Sequence, residues 1–349
     1  MKSRRGCGPS AAAAVATLAL SGALLGGPAG AQDFKGKQIT IYAGGAAGGG
    51  GYDTYGRLLV QVYGKYLPGN PSFVVKSVPG AGTLLAANFM YEVAAKDGTA
   101  LGSVGGGTAT AHMFGSQGVR FDPRRYEWVG SMNSEVGLVA AWHTQPFKTI
   151  QDVYDKEFIV GGGGPTSGNV VFPNVMNSVL GTKFKIISGY KSTSDIALAV
   201  ERGELQGTAS YHYSSIITRN PSWIDQQQVN VLLQLSLRRH SKFPDVPAVT
   251  DLPKTEEQKQ IIDLVFARQE MGRPFMLPPD TPAPIVAAFR TGFDASMKDP
   301  VLLASAAKQQ LDLNNPMTGL EIHELIERLY KVPKDVIAKA AEATGEAGK

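Results

Sequence analysis

One stretch, Ile39 to Tyr66, constrains the fold of this 349-residue chain more than any other. Ile39-Thr40-Ile41-Tyr42-Ala43 is a short apolar, β-branched run that reads as a buried strand. Gly44 to Gly51 follows without one polar side chain to cover the backbone. Tyr52-Asp53-Thr54 then opens a segment with Leu58, Leu59, Val62, Tyr63 and Tyr66 at helical spacing, and Asp53 or Thr54 suits its first turn. A strand, a glycine loop and a helix N-terminus present bare N–H groups and a positive dipole end. That geometry favours an anion or a carbonyl-rich ligand. It is not a nucleotide motif. No Lys lies between Ile39 and Asp53, G-x-G-x-x-G cannot be placed there, and Phe73 to Val78 lacks the acid a dinucleotide fold requires.

The unit recurs. Phe73–Val78 leads to Pro79-Gly80-Ala81-Gly82-Thr83 and an apolar helix over 84–95. Thr99–Val104 leads to Gly105-Gly106-Gly107-Thr108. Phe158–Val160 leads to Gly161 through Asn169 and a helix through Val179. Ser131 to Ala141 reads as one long extended segment. The alternation specifies an α/β fold, and loops after parallel strands collect at the sheet edge where ligands bind. The C-terminal part is helical, with Ile285, Phe289, Phe293 and Met297 on one face and a second amphipathic helix over 320–330.

The N-terminus reads as an export signal. Lys2, Arg4 and Arg5 precede an apolar run, Ala11 to Leu25, too short to span a bilayer, and Ala29-Gly30-Ala31 fits a cleavage site. Residues 1–31 are therefore expected to be removed, by the general secretory route rather than the twin-arginine one. Cys7 is the only cysteine and lies in that leader, so the remaining chain has no disulfide and no thiolate chemistry. The 34 Lys and Arg against 30 Asp and Glu come close to balance once the leader's three basic residues are set aside. No basic surface for nucleic acid or membrane is implied. Enzymatic motifs are fragmentary. His323-Glu324 is half of a zinc-protease motif, and Ser188-Gly189-Tyr190-Lys191 matches S-x-x-K without its companions. The expectation is no catalysis, no metal and no cofactor.

Ile39 to Leu59 resembles the opening of the extracytoplasmic solute receptors of the tripartite tricarboxylate transporter family. The similarity continues through Pro79-Gly80-Ala81-Gly82, Asp97-Gly98-Thr99, Gly163 to Asn169, Tyr190-Lys191, Phe243-Pro244-Asp245-Val246-Pro247 and Pro278 to Ile285. It spans 32–340, and the order and number of the motifs carry it. The resemblance implies a two-lobed periplasmic binding protein of the type II-like, Venus-flytrap kind, with its ligand cleft between the lobes. It implies residues 32–134 with 237–349 in lobe 1 and 135–236 in lobe 2, joined near 133–139 and 234–239. The receptor would capture a small carboxylate and pass it to a permease of large and small membrane subunits. The alternative is a sensor presenting the same ligand to a signalling partner.

The resemblance also implies a carboxylate held by backbone amides and water rather than by arginines. The implied contacts are Ala47, Gly48, Gly49, Gly50, Gly51, Tyr52 and Asp53 in the first loop, then Gly82, Thr83, Gly107 and Thr108. From lobe 2 come Gly163, Pro165, Thr166, Ser167, Gly168, Asn169, Tyr190, Ser210 and Tyr211. Ala47 and Tyr52 depart from the family pattern. The aromatics of Ser210-Tyr211-His212-Tyr213 either line the pocket or pack between the lobes. Asp53 is expected to turn toward helix amides, or toward a water shared with the ligand, since a carboxylate facing the ligand would repel it. Dicarboxylates, hydroxy acids, aromatic acids and amino acids all stay open as ligands.

Overall fold

The computed structural model describes residues 33–345 apart from 46, 48–50 and 165–166. The expected leader and the implied contacts Gly48, Gly49, Gly50, Pro165 and Thr166 lie outside the described residues. Following the chain, β1 (Gln38–Ala43), β2 (Ser72–Ser77), β3 (Ala100–Ser103) and β4 (Glu127–Ser131) build one sheet. A second holds β5 (Gly137–Trp142), β6 (Phe158–Gly162), β7 (Phe184–Ser188), β8 (Gly207–His212) and β9 (Val229–Leu235). β10 (Pro274–Leu277) and β11 (Met317–Thr318) return to the first. Among the described residues the orders are β11-β4-β10-β3-β1-β2 and β7-β6-β8-β5-β9.

β1 pairs parallel with β2 on one side and β3 on the other. Parallel neighbours need crossover helices, here Gly51–Leu59 and Leu84–Glu92. The first packs Tyr55, Leu58 and Leu59 with Phe275, Phe289 and Phe293; the second packs Ala86 and Met90 into the larger core. The expected stripe of helix Ala283–Ser296 is thus core, with Ile285, Phe289 and Phe293 buried. β1 is the switch point where the connections change direction, and the loops leaving its C-terminal edge open into one crevice. The sheets are mixed rather than parallel throughout: β10 runs antiparallel to β3 and β4, and β5 antiparallel to β8 and β9.

The segment read as one extended run, 131–141, is broken. β4 ends at Ser131, 132–136 pass between the sheets, and β5 starts at Gly137. The chain leaves β9 at Leu235, but helix Glu256–Phe266 still packs against Gly168–Val175 of the second sheet. The return runs through 267–273, later than expected. It is tied to the first passage by Glu135 N to Gln269 O (2.8 Å), Gly272 N to Asn133 O (3.0 Å) and Met132 N to Arg273 O (3.1 Å). A third passage follows at 330–333. Helix Gly319–Leu329 lies on β4, whereas helix Lys334–Thr344 lies on Glu256–Phe266 and Gly168–Val175. Two helices expected with the first sheet therefore pack with the second. Their inward faces are apolar (Ile261, Ile262, Val265; Val336, Ala340, Ala341), and the second sheet's helix Gly168–Val175 is the surface they cover.

Candidate ligand site

The four glycine loops reach one cavity of about 470 Å³. Gly44 and Gly45 follow β1, Gly80 to Thr83 follow β2, Gly105 to Gly107 follow β3, and Gly164 and Ser167 to Asn169 follow β6. The turn after β2 is conformationally costly: Gly80, Ala81, Gly82 and Thr83 all have positive φ, at 144°, 45°, 65° and 82°. Such backbone persists only where its surroundings over-determine it. Thr83 supplies that constraint. Its Oγ1 accepts from Gly105 N at 2.9 Å, and a Cβ on Gly44 would fall 2.6 Å from Thr83 Cβ. One threonine thus keys three loops together.

Of the expected first-lobe contacts, Gly51, Tyr52, Gly82, Thr83 and Gly107 line the cavity; Ala47, Asp53 and Thr108 do not. Asp53 is buried, with Arg57 Nε donating to Oδ2 (2.9 Å), Arg57 Nη2 to Oδ1 (3.1 Å) and Ser77 Oγ to Oδ1 (3.2 Å). Its charge is answered by an i,i+4 arginine on its own helix, a partner the sequence reading did not assign. In the second lobe Ser167, Gly168, Asn169, Ser210 and Tyr211 line the cavity, while Gly163 and Tyr190 do not. Asn169 Oδ1 holds its loop by accepting from Gly163 N (3.0 Å) and Ser167 Oγ (2.7 Å). Tyr211 donates to Asn220 Oδ1 (2.8 Å), and its ring meets Trp223 edge-on; Lys191 rather than Tyr190 reaches the cavity.

The cavity also contains cationic side chains. Arg268 and Arg273, both buried, enter from the returning passage, and Lys191 and Arg219 line the second-lobe wall. The expected wall of amides without arginines is therefore incomplete. Arg268 packs over Phe172 (5.2 Å) and donates Nε to Val265 O (3.2 Å). Arg273 lies against the faces of Tyr52 (5.2 Å) and Tyr55 (4.9 Å) and pairs with Glu135 at 2.7 Å, both side chains being 2 % exposed. Ser214 Oγ (2.6 Å) and Asn133 Nδ2 (3.1 Å) donate to the same carboxylate. Burial pushes the Glu135 carboxyl up, but Arg273, His212, Ser214 and Asn133 together outweigh it, so its pKa lies below the ordinary range. Burial, with a smaller push from Arg273, lowers the His212 pKa against the pull of Glu135. Burial raises the Tyr52 phenol. Nothing in 267–273 has a motif's spacing; the one signal was two arginines flanking Gly272 and an apolar strand. A second hollow of about 640 Å³ meets the cavity at Gly51, Ser215, Arg219 and Arg273, extending the cleft between the sheets.

Two α/β lobes around a cleft walled by main chain and cations define a solute-binding protein of the periplasmic type. The chain belongs to the TctC family, the tripartite tricarboxylate transporter family receptors, whose model matches residues 69–341. Solved structures share the fold. MatC from Rhodopseudomonas palustris with bound malate is 18% identical, with TM-score 0.63, over 86% of this chain and 98% of that one. A second R. palustris protein, Rpa4515 with adipate, is 15% identical, with TM-score 0.67, over 90% and 99%. The periplasmic binding protein BugD is 18% identical, with TM-score 0.65, over 89% and 97%. No curated protein matches this sequence.

Proposed function

We propose that this chain is an exported receptor that binds a small organic acid in the glycine-walled cavity and hands it to a permease of large and small membrane subunits. The observation that carries the reading is the convergence of four glycine loops on a cavity whose lining, among the described residues, has Lys191, Arg219, Arg268 and Arg273 against the one carboxylate of Glu135. Amides and a helix end solvate a carboxylate, and the cation surplus draws it in. Malate and adipate in the structures of MatC and Rpa4515 support a di-acid. Binding rather than catalysis is supported by the exposed position of His323 and Glu324 on helix Gly319–Leu329. We assign the described residues of 33–134 and 267–333 to lobe 1, and those of 135–266 and 334–345 to lobe 2, following the packing. The test is calorimetry on protein stripped of ligand by unfolding and refolding, with C3 to C6 mono- and dicarboxylates. Uptake into vesicles holding the membrane subunits follows. A micromolar or tighter Kd is expected; no heat with any acid refutes the binding reading, and binding without stimulated uptake refutes delivery.

A further inference from the structure

The two oxygens of the Glu135 carboxylate have unequal surroundings. Oε1 pairs with the Arg273 guanidinium, Nη2 lying 2.7 Å away, and accepts from Ser214 Oγ at 2.6 Å and Asn133 Nδ2 at 3.1 Å. Among the described residues no donor comes within hydrogen-bond distance of Oε2, whose near neighbour is His212 Nδ1 at 3.9 Å. Glu135 is 2 % exposed, and both it and His212 line the cavity. A carboxylate oxygen of a cavity-lining residue that has no protein donor favours a bound molecule that brings one. One oxygen atom at about 2.8 Å from each group spans a 3.9 Å gap.

Resting on the carboxylate-receptor reading, we propose that Glu135 Oε2 and His212 Nδ1 together receive a hydroxyl group of the bound acid, so that the receptor selects a hydroxy acid over the corresponding unsubstituted or amino acid. The hydroxyl donates to Oε2 and offers its lone pair to His212. An ammonium group would also donate, but it would enter beside Arg273, which already neutralises Glu135, in a cavity lined by three further cations. Repulsion therefore favours the neutral donor. The arrangement joins three parts of the chain: Glu135 on the first passage, His212 at the end of β8 and Arg273 on the return. The hydroxyl site accordingly sits where the lobes meet.

The test is calorimetry on the full, ligand-stripped chain with matched sets: propionate, lactate and alanine; succinate, malate and aspartate; glutarate, 2-hydroxyglutarate and glutamate. In whichever set binds, the hydroxy acid is expected to be tighter than both others by about tenfold or more, since a site made to pair a hydroxyl rejects the analogue lacking it. Glu135→Gln, checked for folding by circular dichroism, is expected to shrink that preference to about threefold or less, because the charge-assisted bond is lost. If the variant fails to fold, the wild-type sets alone decide. An unsubstituted or amino acid that equals or exceeds its hydroxy partner overturns the inference and leaves the receptor reading standing. Binding of no acid in any set overturns the receptor reading itself, and the inference with it.

Discussion

Removing either half of the Glu135–Arg273 pair strands a charge. Both side chains are 2 % exposed, 2.7 Å apart, and share Ser214. Breaking a buried pair by deleting one partner costs about 3–5 kcal/mol, most of it the penalty of leaving the other charge uncompensated. Arg273→Met and Glu135→Gln are therefore each expected to lose about that much. The double variant strands nothing. The amide introduced at position 135 keeps a carbonyl for Ser214 and Asn133, and the thioether introduced at position 273 fills the space between Tyr52 and Tyr55. The double variant is expected to cost no more than either single change, giving a coupling of about 3–5 kcal/mol. Urea unfolding followed by tryptophan fluorescence measures it, with buried Trp128 in β4 and Trp223 beside the second sheet reporting on both lobes. The pair also has a pH signature. Because the Glu135 pKa is depressed, its contribution is complete above the unfolded-state value of 4.5 and is lost as pH falls through the lower folded value. Additivity of the two single variants to within about 0.5 kcal/mol would refute the claim that the two charges act as a unit.

Thr83→Val keeps the shape but removes the acceptor for Gly105 N; a loss of about 1–3 kcal/mol in thermal unfolding is expected, with weaker acid binding by calorimetry. Gly106→Ala would place a Cβ 2.1 Å from the Arg268 carbonyl oxygen and 2.7 Å from that of Met271. Displacing the returning passage should destabilise by about 1–3 kcal/mol or more, and an unchanged melting temperature would show that the passage yields freely. Asp299, buried at the start of helix Pro300–Lys308, is bonded by Lys65 and Tyr66 and caps Val301 N and Leu302 N. The Lys65 bond, against burial and with help from Tyr66 and the two amides, holds its carboxyl down to about 2. The stability it lends is full above the ordinary value of 3.8 and lost as pH falls toward 2; in Asp299→Asn the acid-induced loss over that interval should be smaller.

What local chemistry encodes was legible in the sequence. Runs such as Ile39–Ala43 announce strands because burial on a sheet demands β-branched and apolar residues, and glycine loops after strands pointed to ligand-binding edges, but not to the division that puts three of them on the first sheet and the one after β6 on the second. The face of Ile285, Phe289 and Phe293 was readable by spacing alone. Non-local pairing was not. Ser131 to Ala141 is extended throughout in character, and no residue type marks that it changes sheets at 132–136. Helices Glu256–Phe266 and Lys334–Thr344 are amphipathic wherever they dock, so pattern shows a buried face but not the surface opposite. Arg268 and Arg273 lie in a segment with no spacing rule, and Glu135 was one acid among 30 until the fold set it beside Arg273.

The main-chain wall also bears on how such a receptor diversifies. A point mutation changes a side chain, and from Gly44 and Gly45 through the β2 turn to Gly105–Gly107 the cavity has few to change. Substitution there can only add bulk: a Cβ at Gly44 meets Thr83, and one at Gly107 lies 2.9 Å from Arg268 Nη1. At Gly44 and Gly106, where a Cβ would meet Thr83 and the Arg268 carbonyl oxygen, the wall leaves little room for graded change. Changes in what the cleft accepts fall instead to the residues facing it, such as Lys191, Ser210, His212 and Arg219. Laboratory evolution toward a new solute should accumulate its productive substitutions on that side, leaving the glycine loops as a fixed anvil against which a variable second wall closes.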